Sequence, residues 1–472
     1  ADAYWRLSRT EARLHHFREA IRCVDQAIAF SEKLRTNIFD DLQRVTYFAT
    51  TQEMFDLAAN LALKTGDAFL AFQYAEQARS RALLDAIDKA TIKSLKARNV
   101  DLEQGTSLSL QTIRAKMPAA VQIVEYRITP DSLLLWLIDA NSFVQKSIPV
   151  ASVSLQKRVH DFLRSIGSED LAALQARVRQ DIKGVYDENR QLGKQLFQLI
   201  FKPIAGKIAA ESAIIIIPDG VLYSLPFGAL VTDDDLFFDQ KYLWAKAPSV
   251  TVLTKNASLQ ADALETGQPK FLMVAGALPS SKNEKRQIKQ YYKNAVVLEE
   301  ESATYGNLNE KLRQGAHIAY FTVHSVADVR SPMNSFIELY DQQTANGRLK
   351  PTPIYARRLL DLDFSRTWLA VLNGCETAKG KITRGEGALN MVRIFSMANV
   401  PVVVASLWQN DDRRSAQIMG AFFKKIASGH LTPARALKEA KEQAVNLLRQ
   451  EHEFPLPYFW AVFEVYENSW LN

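Results

Sequence analysis

A chain of 472 residues, 47% hydrophobic and 23% charged, has the make-up of a soluble globular protein of two or three domains. Its longest apolar runs fall well short of the roughly 18 residues a membrane-spanning helix needs, and no charged-then-apolar leader opens it. The net charge of +6 is a mild excess, with no cluster of Lys/Arg interleaved with aromatics, so neither a membrane nor direct nucleic-acid binding is expected.

Residues 1–90 read as helices throughout. Leu7, Phe17, Ala20, Val24 and Ala27 recur at the spacing of a helical hairpin, and Gly66-Asp67, Ala71, Ala75 and Ala78 repeat its second half. Small residues at such positions let paired helices approach and stack on the next pair. The segment resembles divergent tetratricopeptide (TPR) repeats, the C-terminal part of a longer array, with a long helix over 38–64 between the better matches. Such an array implies a regulatory protein partner. The chain opens on Ala, which suggests a piece of something longer. Residues 91–106 are polar and basic and read as a linker.

From 107 to 472 the pattern changes to α/β. Three strand-like runs, 121–128, 133–139 and 143–150, are separated by Pro130-Asp131 and Ala140-Asn141, which predicts an antiparallel meander. Helical patterns follow over 153–166 and 170–208, then a β-branched run at 213–217 ending in Pro218-Asp219-Gly220. These complete an N-terminal half, 107–254, and 255–269 reads as a loop. A second half, 270–472, opens with a strand at 271–275. The charged stretch 281–293 reads as a solvated helix or a loop. Two amphipathic helices, 413–428 and 433–449, come near the end.

Between them lie three apolar runs that read as buried strands of a mostly parallel sheet covered on both faces. The first, from His317, delivers His324; the second, from Thr367, delivers Asn373-Gly374-Cys375; the third is Pro401 to Leu407. Ligands in open α/β sheets bind beyond the carboxyl ends of the strands. A His and a Cys placed there are a candidate base and nucleophile, because a thiol attacks as thiolate and needs a proton acceptor. Gly374 permits a tight turn, and the backbone N–H groups of Ser325 and Cys375 are candidate oxyanion donors. The competing reading is a buried cysteine beside a satisfied core histidine. Gly374 to Lys381 does not make a P-loop, since five residues separate Gly374 from Gly380 and Ile382 stands where Ser/Thr would hold magnesium. No Gly-x-Ser-x-Gly elbow occurs. The seven histidines are scattered, so neither a metal nor a cofactor is expected. The two cysteines, Cys23 and Cys375, are too few for a disulfide scaffold and point to a reducing, cytoplasmic setting.

The run Leu372-Asn-Gly-Cys375-Glu-Thr377-Ala-Lys-Gly380, followed by Gly385-Glu-Gly387, resembles the signature of CHAT domains, caspase-like peptidases often found with TPR repeats. Ile217-Pro-Asp-Gly220 with Leu225-Pro-Phe227 resembles the family's upstream loop. Ser331-Pro-Met-Asn-Ser335, Ala405-Ser-Leu-Trp408 with Asp412, and Phe459-Trp-Ala461 resemble its later segments. Arg79 to Asp85 is similar to the helix that joins the repeats to the domain. The resemblance implies a caspase–separase α/β sheet with flanking helices behind an all-α segment, a His324–Cys375 dyad, and a protein substrate. Ser325 departs from the Gly usual after the histidine. The alternative is a catalytically silent scaffold that presents the helical segment to partners.

In caspase-like folds the residue two before the nucleophile lines the first specificity pocket. Asn373 stands there, neutral where basic-specific relatives carry Asp. It predicts a pocket for an uncharged side chain, because a buried cation without a full counter-charge costs binding. Asp412 is the alternative source of charge, although a capping role ahead of a helix starting near Arg413 is the expected one.

Overall fold

A computed structural model describes residues 1–36, 41–79, 83–84, 109–256, 269–276, 281–328, 332–343, 346–374, 377–378, 380–383, 387–409, 411–429, 431–451 and 454–470. The helices Asp2–Arg13, Phe17–Thr36, Asp41–Thr50, Gln52–Lys64 and Ala68–Gln77 pack in succession. Ala20, Ala27, Ala58, Ala59, Ala62, Ala71 and Ala78 are fully buried at their contacts, as the small-residue spacing requires. The expected long helix over 38–64 is instead two helices. They break at Thr51, whose hydroxyl donates to the Phe48 carbonyl at 2.8 Å and closes a turn. The expected linker, 91–106, lies outside the described residues, as does most of the joining segment after Arg79.

Among the described residues the α/β part has sixteen strands: β1 (Val121–Ile128), β2 (Ser132–Ile138), β3 (Phe143–Pro149), β4 (Ala213–Ile217), β5 (Leu243–Lys246), β6 (Phe271–Ala275), β7 (Val296–Glu299), β8 (Ile318–Thr322), β9 (Ser325–Val326), β10 (Phe336–Gln343), β11 (Leu349–Tyr355), β12 (Leu369–Leu372), β13 (Lys381–Thr383), β14 (Gly387–Leu389), β15 (Val402–Ser406) and β16 (Phe463–Glu467). Eleven of them form one sheet in the order β3-β2-β1-β4-β5-β16-β15-β12-β8-β6-β7. The meander β1–β2–β3 is antiparallel, as the turn residues predict. Most other neighbours are parallel, and their apolar residues are buried on both faces.

One antiparallel pairing inside the sheet, β15 with β16, sets the layout of everything that follows. The block β1, β4, β5, β16 and the block β15, β12, β8, β6, β7 each run parallel internally but in opposite directions. Their carboxyl ends therefore open at opposite edges of one sheet. Strand β5 carries Lys246 into the middle of the sheet, where it meets Glu464 at 2.6 Å with both side chains about 1% exposed. The two sequence halves thus share a continuous core across this join.

The helical segment docks on the meander β1–β2–β3. Phe69 and Phe72 meet Phe143, Phe72 also meets Trp136, and the Trp136 indole N–H donates to the Ala68 carbonyl. Arg127, itself about 1% exposed, reaches from β1 to Asp56 at 2.6 Å and to Gln52 Oε1 at 3.0 Å. Burying the aromatic rings favours this docking, and the buried ion pair is costly to break from either side. The stretch expected to be a solvated helix or loop is the helix Ser281–Tyr291, which buries Glu284 and Ile288. Of the late helices, the second is Pro433–Gln450, with the Thr432 side chain as its N-cap.

Candidate active site

Strand β8 ends at Thr322, and two residues later His324 is exposed at its carboxyl end. The His324 carbonyl accepts from Glu338 N at 2.9 Å, so strand β10 holds the histidine backbone. Strand β12 ends at Leu372, and Asn373 N donates to the Phe321 carbonyl, which carries the β8–β12 pairing one residue further. The two loops then meet at Gly374. A Cβ there would lie 2.5 Å from Ser325 Oγ and 2.9 Å from the Val323 carbonyl, so only glycine admits this approach. The serine that departs from the family pattern is accommodated by this glycine.

Cys375 lies outside the described residues, but the chain on both sides of it is anchored. Ser406 Oγ donates to the Gly374 carbonyl at 2.5 Å, and Thr377 Oγ1 lies 2.9 Å from the same hydroxyl. Thr377 Oγ1 donates to the Leu372 carbonyl and accepts from Ser406 N, while Ala378 N donates to the Ser406 carbonyl. The loop is thereby tied to β15, whose Ala405-Ser406-Leu407 run belongs to the expected signature.

Below His324 and Asn373 sits a carboxylate that the sequence did not single out. Glu284 is about 2% exposed, and its Oε1 accepts from Asn373 Nδ2 at 3.0 Å. The same amide donates to the Tyr320 hydroxyl at 2.9 Å, so both Asn373 N–H groups are used. Glu284 Oε2 and Thr322 Oγ1 are buried and have no hydrogen-bond partner among the described residues. Burial drives the Glu284 pKa up to about 7; Tyr320, Thr322 and Asn373 oppose the rise, and the charge of Asp412 adds to it.

Asp412 does not cap the helix it opens. The helix is Asp412–Ala427, and the side chain of Asp411 takes the N-cap, accepting from Arg414 N at 2.9 Å. Asp412 stands in the first turn instead. Burial and Asp411 push its pKa up, and His324 pulls against them, so its carboxylate and the imidazole act on each other. The structure thus brings His324, Ser325, Asn373 and Asp412 to one edge of the sheet, around Glu284. Among the described residues there is no group of three His, Cys, Asp or Glu side chains arranged to hold a metal ion, and no helix long and apolar enough to cross a membrane.

The profile of the CHAT domain matches residues 190–468, more than half of the chain. The chain belongs to the CHAT domain family. In three dimensions this CHAT chain is similar to separase in two crystal structures of the Saccharomyces cerevisiae separase–securin complex, at 3.0 and 2.6 Å resolution. The TM-scores are 0.56 and 0.57 at 9% and 10% identity. The matches cover 96% and 91% of this chain but only 40% and 38% of the separase chains, about two fifths of their length. The likeness establishes a caspase-like α/β fold with flanking helices. No curated protein matches the sequence.

The opposite edge of the CHAT sheet, beyond β4, is closed by a side chain from the helical segment. Arg79 is about 1% exposed; its Nε donates to Glu125 Oε1 at 3.1 Å and its Nη1 to the Pro218 carbonyl at 2.8 Å. Its Nη2 donates to the Tyr126 carbonyl, and Asp219 lies 3.9 Å from Nη1. Burial and Glu76 push the Glu125 carboxyl upward, while the guanidinium holds it down. Glu76 accepts in turn from Val250 N and Thr251 N at the start of the helix Val250–Asn256.

Proposed function

We propose that this CHAT chain is a cysteine endopeptidase that cuts a protein partner, with Cys375 as nucleophile, His324 as its base, and the helical segment as its control. The observation that carries the reading is the fit at Gly374, where the His324 loop and the loop leading to Cys375 come into close contact. His324 takes the Sγ proton, and the thiolate attacks the scissile carbonyl carbon, moving the C=O electron pair onto oxygen. Collapse of that intermediate breaks the C–N bond, and the leaving amine takes the proton from His324. A water deprotonated by His324 then hydrolyses the thioester and frees Cys375.

The oxyanion role of the Ser325 and Cys375 amides draws support from strand register. His324 and Glu338 form the hydrogen-bonded pair of the β9–β10 ladder, so the next pair, Ser325 with Ile337, is the non-bonded one. That alternation turns the Ser325 N–H away from β10. Control by the helical segment draws support from a run of contacts. Arg79 holds Pro218, and the 3-10 turn Gly220–Ser224 that follows packs against the hairpin β13–β14, which lies just beyond the nucleophile loop in sequence.

The test is intact-mass analysis of proteins encoded next to this one, incubated with the wild-type chain and with Cys375→Ala. A pair of fragments summing to one substrate plus a water, formed by the wild type alone, is expected. Fragments formed equally by Cys375→Ala would overturn the reading, and an absence of cleavage of every such protein would favour a silent scaffold.

A further inference from the structure

Asn373 taken alone predicts a pocket for an uncharged side chain. Its surroundings reverse that expectation. Both Asn373 N–H groups are spent on Glu284 and Tyr320, so the amide offers no donor to a substrate and instead holds a carboxylate in place. A buried carboxylate oxygen without a partner is costly; Glu125 Oε2 and Glu464 Oε1 share that state, but each of those acids pairs with a cation through its other oxygen. No ion pair among the described residues includes Glu284, and a second acid, Asp412, stands close enough to act on it.

We propose that Glu284, Asn373 and Asp412 form the pocket for the side chain on the amino side of the cut, and that it takes Arg or Lys, with Glu284 as the counter-charge. This rests on the peptidase reading, since it assigns the substrate of the same site. A guanidinium or ammonium brings positive charge to a carboxylate whose hydrogen-bonding neighbours, Asn373, Tyr320 and Thr322, are all neutral. Asp412, exposed at the rim, adds a second negative charge along the way in.

The molecule supplies its own precedent. At the opposite edge of the same sheet the buried Glu125 is met by Arg79, whose remaining N–H groups go to the strand-end carbonyls of Tyr126 and Pro218. The chain thus meets one buried acid with its own cation, and a substrate would bring the cation for the other. The charged and titratable groups facing Glu284 are Tyr320 on β8 and Asp412 on the helix Asp412–Ala427, and His324 faces Asp412 in turn. A bound cation draws Glu284 into its ionised form, so the preference for Arg and Lys grows as pH rises through the range where Glu284 titrates.

The experiment uses the whole chain and acyloxymethyl ketone peptides that differ only in their last residue, Arg, Lys, Leu or Asp, with alkylation of Cys375 followed by intact mass. Arg and Lys reagents should react about tenfold faster than Leu or more at pH 8, and that ratio should shrink at pH 6. Glu284→Gln should bring the Arg-to-Leu ratio close to unity, and Asp412→Asn should lower it by about two- to threefold. Because both reagents are compared on the same variant, a general loss of activity or folding leaves the ratio readable. Leu reacting as fast as Arg on the wild type would overturn the cation pocket and leave the peptidase reading standing. If no reagent labels Cys375, the peptidase reading fails. The pocket is then judged by agmatine binding in calorimetry, which must occur with the wild type and be lost in Glu284→Gln.

Discussion

Glu125 on β1 and Glu284 on the helix Ser281–Tyr291 are both buried carboxylates against one sheet, and of the two only Glu125 is met by a cation among the described residues. At the first edge Arg79 brings a guanidinium, two backbone carbonyls complete its hydrogen bonds, and the helical segment is pinned to β1 and β4. At the second edge the strand ends carry an exposed imidazole and a glycine that lets two loops touch, and the buried acid held by Asn373 belongs to no ion pair among the described residues. Pairing a buried acid fixes a docked element, whereas leaving one without a counter-charge costs stability, a cost that proteins carry at functional sites. The opposite polarity of the two blocks, set by the single pairing of β15 with β16, is what gives one sheet both kinds of edge.

The contrast fails if the two edges respond alike to mutation. Replacing Cys375 or His324 by Ala should lower peptide cleavage by about a thousandfold or more, with cooperative unfolding retained. At the closed edge, Arg79→Ala leaves Glu125 buried without a counter-charge. That should cost about 3–5 kcal/mol in urea unfolding, with part recovered in the Arg79→Met, Glu125→Gln double variant. A loss under about 1 kcal/mol would mean that Arg79 does not close that edge.

Glu284→Gln should work in the other direction. The folded-state pKa of about 7 lies above the ordinary 4.5, so between these values the folded state binds more protons than the unfolded one. Wild-type stability therefore carries a term that is full below pH 4.5, falls as pH rises, and is gone above about 7. The Gln variant lacks that term. It should gain on the wild type across this window, levelling at roughly 3 kcal/mol above neutrality. A difference that does not change with pH would show that the carboxyl is not held in a desolvated site. Ser406→Ala should have the mildest effect, about 1–2 kcal/mol, since it removes the hydroxyl that ties Gly374 to Thr377.

Much of the second edge was legible because its strands are apolar runs that stop at turn residues, which places His324 and Asn373 at strand ends without further information. The meander was legible for the same reason. Glu284 was not, because Ser281–Tyr291 has a single fully buried apolar residue, Ile288, and reads as a solvated helix until the sheet edge above it is known. Strand β5 hid because it carries Lys246, a charge that makes sense only beside Glu464 on β16, 218 residues later. The cap of the helix at 412 turned on one residue of register: Asp411 and Asp412 are equally good caps in sequence, and the backbone at Asp411, extended at φ −72° and ψ 120°, decides between them. Arg79 lay in a segment that resembles the joining helix, but its partners are residues 46 and 139 positions away, which no local pattern encodes.

The reactivity of Cys375 itself is the point on which the contrast between the edges turns. Alkylation of the whole chain by iodoacetamide, followed residue by residue from pH 5 to 9, separates a thiolate made by its surroundings from an ordinary thiol. Cys23 serves as the internal reference, since it is buried and burial with Glu19 and Glu11 pushes its thiol pKa up. Cys375 is predicted to react well below the pH at which a free thiol ionises, about 8.5, and to lose about tenfold of its rate near neutrality in His324→Ala. A Cys375 whose rate rises only near that pH, and equally in both chains, would contradict the dyad.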